Sequence, residues 1–106
     1  MTARIYNRVL QTAIEAHGEE HQIHVAIEEM AELTKAIVKL WRAGSPGGNE
    51  DLDTLEKNIV EEIADVRIMV DQLAMIFGPQ RVDCVESNKL RRLAHMLEMR
   101  LDQVDS

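Results

Sequence analysis

Along this chain apolar residues recur at steps of three and four, the spacing that places side chains on one face of an α-helix. In the first segment Ile5, Val9, Ala13 and Ala16 keep that step. They predict a short amphipathic helix that ends near Gly18 and packs as a cover. A longer segment, from about Glu20 to Ala43, has no Gly or Pro, and Ile23, Ile27, Met30, Thr34, Ile37 and Trp41 hold helical period throughout. The run Gly44-Ser45-Pro46-Gly47-Gly48-Asn49 gathers turn-forming residues and predicts a flexible loop, with Asn49 or Asp51 available to cap the next helix. From about Asp51 to Phe77 a third helix is marked by Leu52, Leu55, Ile59, Ile63, Val66, Val70, Leu73 and Phe77. Gly78 ends it and Pro79 opens a fourth, whose Val82, Val85, Leu93, Met96, Leu97 and Val104 run to near the C-terminus.

The expected fold is therefore all-α: one domain over residues 1–106, of four-helix-bundle type, with two long central antiparallel helices. A helix of about 25 residues is about 38 Å long, whereas a compact chain of this size has a radius of gyration of about 13 Å. Two such helices overhang a lone protomer. The third also carries a second apolar strip, Val60, Ala64, Ile68 and Met75, that one chain leaves wet. Both points predict a homo-oligomer, a dimer or a tetramer.

Composition narrows the picture. Only 3% of residues are aromatic, so the core must be built from Leu, Ile, Val, Met and Ala. The single Cys84 cannot close an internal disulfide, and the N-terminal MTARIYNRVL lacks the apolar run of a signal peptide or membrane span, so a cytoplasmic location is expected. A net charge of −7 repels nucleic-acid backbones and anionic membranes, and neither is an expected partner. Cations are, and a cation can bring a phosphate ligand with it.

Helical-wheel directions locate the candidate chemistry. With Ile59 at zero, Leu55, Leu73, Met69 and Ile76 define an apolar arc on the third helix, and Glu62 falls inside it at about 300°. Asp65 lies on the edge of the arc at about 240°, and Glu61 further toward solvent at about 200°. On the second helix, with Ile27 at zero, Glu29 lies at about 200° beside Val25, Leu33, Ala36 and Leu40, with Glu32 next along the rim at about 140°. Glu28 points to the wet side among Lys35, Lys39 and Arg42. Each long helix thus aims an acidic pair, spaced three apart, at a largely apolar surface. Carboxylates near one another in such a place must be protonated, paired or metal-bound. Oxygen-only donors suit Mg²⁺ or Mn²⁺. The alternative is a set of surface charges in ion pairs.

The motif Glu28-Glu29-Met30-Ala31-Glu32-Leu33, followed across the loop by Glu62-Ile63-Ala64-Asp65-Val66, resembles the EExxE and ExxD pairs of MazG-like all-α nucleotide pyrophosphohydrolases. The resemblance covers roughly residues 20 to 100, and the spacer between the pairs is slightly long for the family pattern. It implies an Mg²⁺-dependent enzyme that hydrolyses a nucleoside triphosphate to monophosphate and pyrophosphate. It further implies that Glu29, Glu32, Glu62 and Asp65 are the metal ligands. The family tends to carry phosphate-binding basic residues on the last helix, and the matching run here is Asn88-Lys89-Leu90-Arg91-Arg92. The wheel also singles out Lys89, which falls among Val85, Leu93 and Met96. Snorkelling of its ammonium to water is the plain alternative. Arg92 and Asn88 complete the expected phosphate contacts.

Glu29 is the choice for the base that takes the proton of the attacking water. Gln22 and Trp41 are the candidates for contact with the nucleobase, although the apolar stripe on which Trp41 sits makes a core position the plainer expectation for it. His17, His21 and His24 have spacings that suit Zn²⁺, but Gly18 interrupts them and no fourth ligand accompanies them. From a different class, the rival function is a non-enzymatic helical oligomer, an interaction or regulatory module whose acidic rim binds a basic partner.

Overall fold

Local signals act where the spacing places them. In a computed structural model, which describes residues 1–44 and 51–100, the chain forms α1 (Ala3–His17), α2 (Glu19–Ala43), α3 (Leu52–Phe77) and α4 (Pro79–Met96). No strand occurs among the described residues. Thr2 caps α1, its Oγ1 accepting the Ile5 N–H at 3.2 Å. Gly18 separates α1 from α2 at φ +89°, ψ 151°, backbone that glycine alone adopts without strain. Its N–H donates to Ile14 O at 2.7 Å and its carbonyl accepts from Gln22 N at 3.1 Å, so one residue closes one helix and starts the next. Asp51 caps α3 twice over, accepting from Asp53 N at 3.1 Å and from the Thr54 hydroxyl at 2.9 Å. The other expected cap, Asn49, and the loop residues after Gly44 lie outside the described residues.

The chain divides into two compact units, Met1–Leu73 and Ala74–Ser106, with the last turn of α3 in the second. In the first unit α2 and α3 run antiparallel. Gln22 near the start of α2 donates its Nε2 to Gln72 Oε1 near the end of α3 at 2.8 Å. Toward the other end, Lys39 of α2 and Leu55 of α3 line one recess. The packed strip of α3 is the one its wheel marks: Leu55 and Met69 are buried, and Ile59, Glu62 and Leu73 are half-buried.

Two expected faces are corrected. The packed residues of α1 are Leu10 and Ile14, with Tyr6 and Ala13 half-buried, while Ile5, Val9 and Ala16 of the expected strip are exposed. Leu10 and Ile14 bury more apolar surface than two alanines, and Tyr6 adds a 2.6 Å bond from its hydroxyl to Asp71 Oδ2 of α3. On α2 the face that packs is Gln22 and Ala26, fully buried, then Glu29, Leu33, Ala36 and Leu40, half-buried. Ile27, Ile37 and Trp41 are exposed instead, Trp41 at 80%, so this tryptophan is no core residue. Of the second strip of α3, Val60, Ala64 and Ile68 are exposed, Val60 at 65%, and Met75 is half-buried.

In the second unit Gly78, at φ +115°, ends α3 and Pro79 is the first residue of α4. This helix stops at Met96, short of the expected end, because residues 97–99 reverse the chain. Glu98 adopts φ +57°, its N–H donates to His95 O at 3.1 Å, and Met99 N–H donates to Ala94 O at 2.9 Å. These bonds form a Schellman motif, with glutamate in the position glycine usually fills. Val104 lies outside the described residues. Along α4 only Ala94 is buried. Among the described residues no helix is long and apolar enough to cross a membrane.

Candidate metal centre

Three of the four expected carboxylates, Glu29 of α2 and Glu62 and Asp65 of α3, converge for a reason visible in the spacing, and Glu32 is not among them. On α3, Leu55, Glu62 and Met69 follow one another at seven-residue steps, so the carboxylate takes a place in the packed strip between two buried apolar residues. On α2, Gln22, Glu29 and Ala36 do the same. With the helices antiparallel, Glu29 meets Glu62 and Asp65: one oxygen from each carboxylate lies within 4.8 Å of the others. Glu29 and Glu62 are half-buried and Asp65 is exposed. Glu32 is exposed and lines a neighbouring recess together with Glu62.

This arrangement is electrostatically unfavourable on its own. Burial holds the Glu29 carboxyl above the usual carboxylate range, and the negative charges of Asp65, Glu62, Glu32 and Glu28 push it the same way. Glu62 Oε2 is buried and has no hydrogen-bond partner among the described residues. A buried carboxylate oxygen without a donor costs roughly 1–3 kcal/mol or more, and native proteins rarely leave one so. The donor set is all oxygen, anionic, and close enough to share one ion. It fits a hard divalent cation and lacks the sulfur and imidazole that softer metals prefer.

Other expected residues lie elsewhere. Glu28 and Glu61 are exposed, and Glu61 lines a separate recess with Asp53, Glu56, Lys57 and Val60. Gln22 is 5% exposed and its amide is engaged twice, donating to Gln72 and accepting at Oε1 from His21 Nδ1 at 2.8 Å. Gln72 in turn donates to Met69 Sδ at 3.5 Å. The rings of His17 and His21 stack with centroids 5.3 Å apart. Asn88, Lys89 and Arg92 are all exposed on α4, in the second unit. Lys89 lines an open apolar recess of about 590 Å³ with Phe77, Val82, Val85 and Leu93, the company its wheel position gives it.

The residues that sequence reasoning assigned to solvent are Lys35 and Lys39. Together with Ala36, Leu55 and Asn58 they line the recess that Glu32 and Glu62 share. A signal for them was present: Lys35 and Lys39 follow Glu32 at three and seven residues, and Asn58 precedes Glu62 by four, so each lies on the helix face of an acidic residue. No family model matches this chain, nor does any curated protein or solved structure.

Proposed function

We propose that this chain is an Mg²⁺-dependent nucleoside triphosphate pyrophosphohydrolase that converts an NTP or dNTP to its monophosphate and pyrophosphate. The observation that carries the reading is the convergence of Glu29, Glu62 and Asp65 around a buried Glu62 oxygen that has no partner. The EExxE and ExxD spacing of the same residues agrees with it. Glu29, Glu32, Glu62 and Asp65 hold the metal, and Mn²⁺ can take its place.

Mg²⁺ bound there supplies positive charge that lets a triphosphate approach the carboxylates, polarises phosphoryl oxygens and lowers the pKa of water. The protein supplies position and proton transfer. Glu29 accepts the proton of the attacking water. The new bond forms between that water oxygen and the α-phosphorus, and the bond to the β-phosphate oxygen breaks, releasing pyrophosphate. Asn88, Lys89 and Arg92 of α4, in the second unit, are the residues that the resemblance assigns to the phosphates.

The exposed apolar residues support a homo-oligomer, dimer or tetramer. Val60 and Ile68 are exposed on α3, and Val85, Leu93 and Met96 on α4, the kind of apolar surface a partner copy covers. Light scattering measures the assembly directly.

The deciding experiment is pyrophosphate release from a panel of NTPs and dNTPs with and without Mg²⁺, run beside Glu62→Gln. Metal-dependent release that the substitution abolishes supports the enzyme. Inactivity across the panel, with no metal-induced stabilisation, favours an oligomeric interaction module instead.

A further inference from the structure

The carboxylate cluster has two unlike flanks, both formed by α2 and α3 within the first unit. Toward the C-terminal end of α2 lies the recess of about 270 Å³ shared by Glu32, Lys35, Lys39, Asn58 and Glu62. On the other flank a smaller recess of about 140 Å³ joins Glu29 and Asp65 to Ile68 and Met69, with no basic residue in its lining. The charge asymmetry therefore runs along the helix pair, from an apolar end through the carboxylates to a basic end.

The basic recess has the chemistry of a polyphosphate site. Each lysine ammonium offers three donors and no acceptor, and the Asn58 amide offers two more donors. Although Glu32 and Glu62 line the same recess, neither lysine forms an ion pair with a carboxylate among the described residues. Among the described residues the two ammonium groups are therefore uncommitted. Size agrees: about 270 Å³ holds roughly nine waters at about 30 Å³ each, yet it falls below the range of whole-ligand pockets. It suits part of a nucleotide.

We propose that the recess lined by Lys35, Lys39 and Asn58 is the pyrophosphate subsite. The β- and γ-phosphates of the substrate then lie toward the C-terminal end of α2 and the nucleoside toward Ile68 and Met69. This inference rests on the pyrophosphohydrolase reading and adds a direction to it. Along α2, Lys35 and Lys39 follow Glu32 by three and seven residues, about 4.5 and 10 Å of helix rise, so Lys35 stands beside the carboxylates and Lys39 beyond them. The lysines attract the phosphates farthest from the scissile bond and stabilise the leaving group once it departs.

The test uses inorganic pyrophosphate as the probe, with calorimetry of the full chain in Mg²⁺ buffer. Lys35→Gln and Lys39→Gln are each expected to weaken pyrophosphate binding about tenfold, equivalent to about 1.4 kcal/mol. The double variant should lose more and show a shallower salt dependence. Lys39→Arg should retain most of the affinity. Lys57→Gln, on a different recess, should bind as the wild type does. Mg²⁺ titrated alone should bind the lysine variants as tightly as the wild type or tighter, since both substitutions remove positive charge near the carboxylates. All these residues are exposed, and helical circular dichroism confirms folding. Wild-type pyrophosphate affinity in the double variant, with Mg²⁺ binding intact, overturns the subsite and leaves the enzyme reading standing. Loss of pyrophosphate binding in Lys89→Gln/Arg92→Gln but not in Lys35→Gln/Lys39→Gln does the same. A wild-type chain that binds no Mg²⁺ overturns both.

Discussion

Replacing Glu62 by glutamine removes one charge from the carboxylate cluster while nearly preserving shape. The structure sets the size of the effect. Two unit charges 4.8 Å apart repel by about 1 kcal/mol at the dielectric of water and about 3.5 kcal/mol at an effective value of 20. Glu62 faces two such charges, Glu29 half-buried and Asp65 exposed, so the interaction with Asp65 stands near the lower figure. The glutamine amide can also donate to either neighbour. Removal should therefore stabilise the metal-free protein by about 1–3 kcal/mol, a rise in Tm of roughly 5–15 °C for a chain of this size. At physiological salt the screening length is about 8 Å, longer than the spacing, so the gain persists there; at 1 M salt it is about 3 Å and the gain shrinks. Thermal unfolding followed by circular dichroism in EDTA, at two salt concentrations, measures this. Adding Mg²⁺ should reverse the order: at a hundred times its Kd a ligand stabilises the wild type by about 2.7 kcal/mol, and the variant loses most of that. A variant less stable than wild type in EDTA, or one stabilised equally by Mg²⁺, refutes the reasoning.

Glu29 gives a pH dependence. Its folded pKa is raised above the ordinary 4.5, so the folded state binds more protons, and its contribution to stability is full below that value and lost as pH rises through the raised one. In EDTA the stability difference between wild type and Glu29→Gln should fall with rising pH across that window; a flat difference contradicts the raised value. Mg²⁺ affinity should move oppositely, weakening as protons compete for the same oxygens. For the buried amide pair, Gln22→Met or Gln72→Met alone should cost about 1–3 kcal/mol by stranding the other amide, while the double substitution should recover much of it. A urea-denaturation double-mutant cycle with no coupling argues against the bond. Glu98→Gly should stabilise the chain by about 0.5–1 kcal/mol by removing a side chain from left-handed backbone, read by the same denaturation; a loss of stability counts against the Schellman assignment.

Most helix boundaries were readable because the residues that set them act locally. Gly18, Asp51, Gly78 and Pro79 work through the backbone within a few positions, and the structure uses each of them. The end of α4 was not readable, since a glutamate in left-handed backbone leaves no compositional mark and the apolar spacing continues past Met96. The inward direction of Glu62 was legible because Leu55 and Met69, seven residues to either side, fix the strip. The wheel of α2 was less decisive: its large residues, Ile27, Ile37 and Trp41, stay open while Gln22, Ala26 and Ala36 pack. Which side chains pack there depends on the partner helix and not on hydropathy alone. For the same reason the Gln22–Gln72 pair, fifty residues apart, had no local signature.

That pair has a consequence for how the helices are aligned. Leucine and alanine contacts are nearly indifferent to a slide of one turn, about 5.4 Å, because one apolar neighbour replaces another. Hydrogen-bonded amides are directional, and a slide would break their bond inside the protein. Gln22 and Gln72 thus act as an index mark at the end of the α2–α3 hairpin far from Gly44 and Asp51. The alignment that lets Glu29 meet Glu62 and Asp65 is set there, so chains with a longer or shorter connection at residues 45–50 should keep the same constellation.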